Sequence, residues 1–119
     1  MNLQTKTLNG NMAYREYKRY LTDHEYINLY AMRKALGKIR KQLDENKLQI
    51  LEHQKKIVEK NPTDCNLYSR DMLMILGKER RMLKDTRQKI ERLIDKIVKK
   101  AQRRMEDMKR LELKSLEEM

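Results

Sequence analysis

The sequence is poor in everything that bends or cross-links a chain. Its 119 residues hold one Cys, one Pro and three Gly, and neither Trp nor Phe. A lone Cys65 forms no internal disulfide, so packing alone must hold the fold. So few turn formers exclude a sandwich or barrel, which needs a turn about every 8–12 residues. Long helices remain, and the expected class is all-α. No run approaches the roughly 18 uncharged apolar residues of a membrane span, and the opening MNLQTKTLNGN lacks the apolar centre of a secretory signal. The expectation is a cytoplasmic protein, in a cell or an infected host cell, without membrane contact.

What is abundant is positive charge. Lys and Arg number 29 against 18 Asp and Glu, a formal charge of +11, which favours polyanionic partners. The excess is uneven. Residues 86–104 carry eight basic groups and two acidic ones, whereas residues 105–119 carry three and five. A second block, Arg33, Lys34, Lys38, Arg40 and Lys41, spans nine residues without an acid.

Apolar residues set the helices. Thr22-Asp23-His24-Glu25 fits a capping box, in which a Thr hydroxyl and a Glu carboxylate satisfy each other's backbone N–H groups. From there Leu29, Leu36, Leu43, Ile50 and Ile57 recur every seven residues, which predicts one helix of about four heptads. Asn46 and His53 interrupt the companion column, as register-setting polar residues do. Asn61-Pro62-Thr63-Asp64 stops this helix and starts another, since Pro disfavours helix at the residue before it and suits a first helical position. Leu76, Leu83, Ile90 and Ile97 carry the second helix almost to the C-terminus. Asn11 can cap a short helix over residues 12–21, with Tyr14, Tyr17 and Leu21 on one face; ten residues need something to pack on.

The expected architecture is thus a long antiparallel helical hairpin, coiled-coil-like, with a short N-terminal helix. It comprises an arm and Tyr-rich helix over 1–21, the hairpin over 22–104 with its turn at 61–64, and a helical extension over 105–119. Folding at Pro62 sets residues 33–41 opposite roughly 83–91, so the two basic blocks converge. Leu48, Leu51, Val58, Ile75, Met82, Leu93 and Val98 widen the apolar faces beyond one seam, which predicts self-association into a bundle. A shift of 40 residues also aligns Leu36-Gly37-Lys38 with Leu76-Gly77-Lys78, a sign either of duplication or of two similar stripes in phase.

Catalysis finds no support in the residue pattern. His24, His53 and Cys65 lack metal-ligand spacing, and Gly10, Gly37 and Gly77 form no phosphate loop, so neither cofactor nor enzymatic activity is expected. Binding is better supported. Arg92, Lys96, Lys99 and Arg103 fall at i, i+4, i+7 and i+11, a cationic ridge about 16 Å long suited to phosphates. Together with the block from Arg33 to Lys41 it points to nucleic acid or a nucleoprotein. Tyr14, Tyr17 and Tyr20 alternate with Arg15, Lys18 and Arg19 and can stack bases or close the open end of the hairpin. Met105, Met108, Leu116 and Met119 share a face beyond the expected reach of the first helix. That face supports the alternative, a coiled-coil adaptor or inhibitor, such as phages and mobile elements encode, docking in a partner's groove.

Overall fold

The computed structural model describes residues 14–59 and 64–118. They form α1 (Tyr14–Tyr17), a 3-10 turn (Lys18–Tyr20), and two long helices, α2 (Asp23–Glu59) and α3 (Asp64–Glu118). The all-α hairpin expected from the heptads is present. α2 ends and α3 begins on either side of the expected turn, whose Asn61 and Pro62 lie outside the described residues, as do the Asn11 cap and Met119. The chain divides into two compact units, Met1–Met32 with Arg92–Met119, and Arg33–Glu91.

In the unit Arg33–Glu91 the seam is built by buried Leu36, Ile39, Leu43 and Leu76. Asn46 lies among them with 1% of its surface exposed, and every polar atom of its amide has a partner. Its Nδ2 donates to the Leu76 carbonyl at 2.9 Å and to Glu79 Oε1 at 3.4 Å, while Oδ1 accepts from Arg80 Nη1 at 3.4 Å. Arg80 also donates to the Leu43 carbonyl at 3.3 Å. Further along the seam, towards the turn, His53 Nδ1 pairs with Ser69 Oγ at 3.2 Å, and Ser69 is 1% exposed. A buried amide that satisfies all its bonds in one alignment disfavours any heptad slip, because slippage would leave it unpaired in an apolar seam. These bonds lie within a turn of the register expected from folding at Pro62.

The other unit contains the N-terminal segment. Tyr17, Leu29, Val98 and Ala101 form a buried cluster, and Tyr14, Tyr20, Leu21 and Ile94 pack around it. Ala101 is fully buried; with only a methyl group there, the Tyr17 side chain can lie close to α3. The helix expected over 12–21, described from Tyr14 onward, stops being α-helical after Tyr17. α1 tightens into the 3-10 turn, closed by the Leu21 N–H on the Lys18 carbonyl at 3.2 Å, and Leu21 is extended at φ −82°, ψ 140°. The reason is the next residue. Thr22 opens α2 with the capping box anticipated for it: the Thr22 N–H donates to Glu25 Oε1 at 3.0 Å, and the Glu25 N–H to Thr22 Oγ1 at 3.1 Å.

Glu25 has a second role that the capping pattern does not announce. Arg104 of α3 forks onto it, with Nη2 at 3.1 Å from Oε2 and Nη1 on Oε1, and the same Nη1 donates to the Tyr20 carbonyl at 2.8 Å. One guanidinium thus clasps the 3-10 turn, the start of α2 and α3 together. The Arg104 hydrogen bonds, working against the cost of burial, hold the Glu25 carboxyl at about 2 rather than 4.5. A folded-state value below the unfolded one stabilises the fold above the unfolded value, and that gain disappears as pH falls through the folded one. Glu25→Gln is therefore expected to lower the urea midpoint above about pH 4.5, with the deficit shrinking as pH approaches 2. A deficit that stays constant over that interval rules out ionisation of Glu25 as its source.

Candidate functional site

α3 is long because nothing in its 55 residues stops it; it holds no Pro, and Gly77 is its one glycine. Beyond Arg92 its inner side is Ile94, Ile97, Val98, Ala101 and Met105, half-buried or buried. Arg92, Lys96, Lys99 and Arg103 are all exposed. They precede inner residues by about two positions, close to 200° around the helix, so the ridge faces directly away from the core. Lys99 Nζ lies 2.9 Å from Asp95 Oδ2, an exposed ion pair one turn apart. A phosphate can displace such a contact at small cost, since an exposed pair contributes at most about 1 kcal/mol. Arg104, next in the chain, is turned inward to Glu25 and does not extend the ridge.

The block Arg33, Lys34, Lys38, Arg40 and Lys41 lies on α2 in the other unit. All five are exposed, while Leu36 and Ile39 between them are buried. Lys34, Lys38 and Lys41 share one face at i, i+4 and i+7, and Arg33 and Arg40 form a parallel column. Each block therefore has its own cationic face on a rigid helix, and each belongs to a different unit.

The tyrosines serve packing. Tyr17 is 3% exposed, so its ring cannot stack on a base, and Tyr14 meets it edge-on with centroids 5.5 Å apart. Tyr20 is half-buried with the Arg19 guanidinium 5.7 Å from its ring centre. Closing the hairpin end needs three large rings on one side of a short segment, and that accounts for their spacing.

The expected partner face changes in composition. Met105 is 4% exposed and belongs to the interior, because the N-terminal segment folds over this part of α3. The exposed face starts one turn later. Met108, Leu111, Glu112, Ser115 and Leu116 line a shallow groove at i, i+3, i+4, i+7 and i+8. Leu111, absent from the expectation, is 61% exposed; its alternation with Glu112 and Leu113 hides the stripe when the tail is scanned for Met alone.

Among the described residues no three His, Cys, Asp or Glu come together as metal ligands, and no helix is long and apolar enough to cross a membrane. The chain matches no protein-family model, no curated protein and no solved structure.

Proposed function

We propose that this protein is a non-enzymatic helical module that associates with nucleic acid, or with a nucleoprotein, through phosphate contacts. The ridge Arg92, Lys96, Lys99 and Arg103 carries this reading: four cations on one exposed face, opposite the core, in a chain of net charge +11. A helix offers such a ridge as a fixed row, so binding releases counterions without first ordering a loop. Rows of this kind grip backbone rather than base edges, and little sequence preference is expected. The face of Lys34, Lys38 and Lys41 supplies a second set of the same chemistry.

The test is a titration of labelled duplex DNA and of single-stranded RNA over a salt series. Binding should weaken by on the order of a hundredfold or more between about 50 and 200 mM salt, as expected when at least four phosphates are neutralised. No binding at low salt, or binding indifferent to salt, overturns the reading. The exposed groove from Met108 to Leu116 favours a second reading, an adaptor presenting a helical face to a protein groove, and a failure with both nucleic acids makes it the better one.

A further inference from the structure

Unit Arg33–Glu91 carries an apolar column that its seam leaves mostly in water, with the Tyr68 ring at one end meeting His53 edge-on at 5.9 Å between centroids. Tyr68, Ile75 and Met82 of α3 repeat every seven residues and are 61%, 56% and 69% exposed. A shallow groove lies along the last two, lined by Ile75, Lys78, Glu79, Met82, Leu83 and Thr86. Three residues after each member of this column comes a charge: Asp71, Lys78 and Asp85, all exposed. This flanking column alternates in sign at steps of about 10.5 Å along the helix.

We propose that this face seats a second copy of the same chain, with the two α3 helices antiparallel and staggered so that Lys78 of each copy meets an aspartate of the other. The alternation selects the arrangement. A two-fold axis level with Lys78 sets Lys78 against Lys78, and parallel pairing in register sets like on like along the whole column. Moving the axis half a heptad, towards Ile75 or Met82, brings Lys78 onto Asp71 or Asp85 and repeats the contact by symmetry. An unrelated partner gives no reason for a self-complementary column.

The charge of the surrounding segment points the same way. Residues 48–82 hold eight of the sixteen exposed large hydrophobic side chains described, among them Leu48, Leu51 and Val58 of α2. They also hold seven Lys or Arg against five Asp or Glu, a net +2 of the chain's +11. Two copies of a strongly basic protein therefore meet here with less repulsion than along the cationic faces, which stay clear for polyanions. Two paired hairpins close into four helices, covering edges that one hairpin leaves in water.

Full-length protein, freed of nucleic acid by nuclease, is examined by light scattering and sedimentation equilibrium. The expected mass is twice 14.5 kDa. Ile75→Glu with Met82→Glu should give a monomer of unchanged helical circular dichroism. Lys78→Asp should weaken dimerisation by about tenfold or more, since both symmetry-related Lys–Asp contacts then set aspartate against aspartate. Adding Asp71→Lys and Asp85→Lys to Lys78→Asp inverts the column and should restore the wild-type constant. A monomeric wild type at about 100 μM, which is a constant weaker than about −5.5 kcal/mol, overturns the proposal. So does a dimer insensitive to the column substitutions, or a column inversion that restores nothing.

Discussion

Alanine at Arg92, Lys96, Lys99 and Arg103 is expected to reduce the slope of log affinity against log salt by about three to four on duplex DNA, at roughly 0.9 for each phosphate left without its cation. Lys99 gives the smallest share, because its ammonium already sits 2.9 Å from Asp95 and exchanges one anion for another. Over a fourfold rise in salt, a slope change of that size separates the two proteins by about a hundredfold. The fold should not respond: all four side chains are exposed, face away from Val98 and Ala101, and sit on a helix that alanine favours. A control that removes Lys34, Lys38 and Lys41 measures the other cationic face separately. An unchanged slope in the ridge variant, with intact circular dichroism, removes the ridge from the proposed function.

The hairpin is legible in the sequence because its signals are local and redundant. Seven-residue spacing of Leu29, Leu36, Leu43 and Ile50 needs no tertiary information to read, and the capping box at Thr22 closes both its hydrogen bonds as expected. Asn46 announces itself as a polar residue in an apolar column. Its partner Arg80 does not, because an arginine at a core position of a Lys- and Arg-rich helix resembles every other arginine until a buried amide 34 residues away gives it an acceptor. The Arg104 clasp is hidden for the same reason. Its place seven residues after Ile97, in the column of Leu76, Leu83 and Ile90, already separates Arg104 from Arg103, but only the tertiary fold brings Glu25 and the Tyr20 carbonyl to it.

Met105 shows what a helical wheel omits. Counted from the turn at 61–64, it lies past the start of α2, and a two-helix count leaves it in water. The chain before α2 supplies the missing cover. Tyr17 and its neighbours turn back over Val98 and Ala101, and the Tyr20 carbonyl and Glu25 hold Arg104, so the covered part of α3 in this unit reaches Met105. The tyrosines and Met105 thus change roles together: rings that could have stacked on bases close over α3, and the methionine expected to meet a partner lies inside. With both removed, the site reduces to the charged ridge, the basic face of α2 and a tail groove that starts at Met108.

Leu29→Ala is expected to cost about 2–5 kcal/mol, the range for emptying a leucine-sized site in a packed interior. Leu29 is 1% exposed and belongs to the cluster of Tyr17, Val98 and Ala101. Val98 and Ala101 are held in one long helix and cannot collapse into the space, which places the cost towards the upper end. The loss should appear first in tyrosine emission. Five of the six tyrosines, at 14, 17, 20, 26 and 30, belong to this unit, and no Trp competes with them. Circular dichroism follows both units, so a tyrosine transition that precedes the helical one locates the damage at the N-terminal cap. Leu48→Ala, on the same helix but 62% exposed, should change stability by no more than about 0.5 kcal/mol. Equal costs at the two positions mean that Leu48 is covered in solution, and because the packing of the described residues leaves it open, a second copy of the chain is the expected cover.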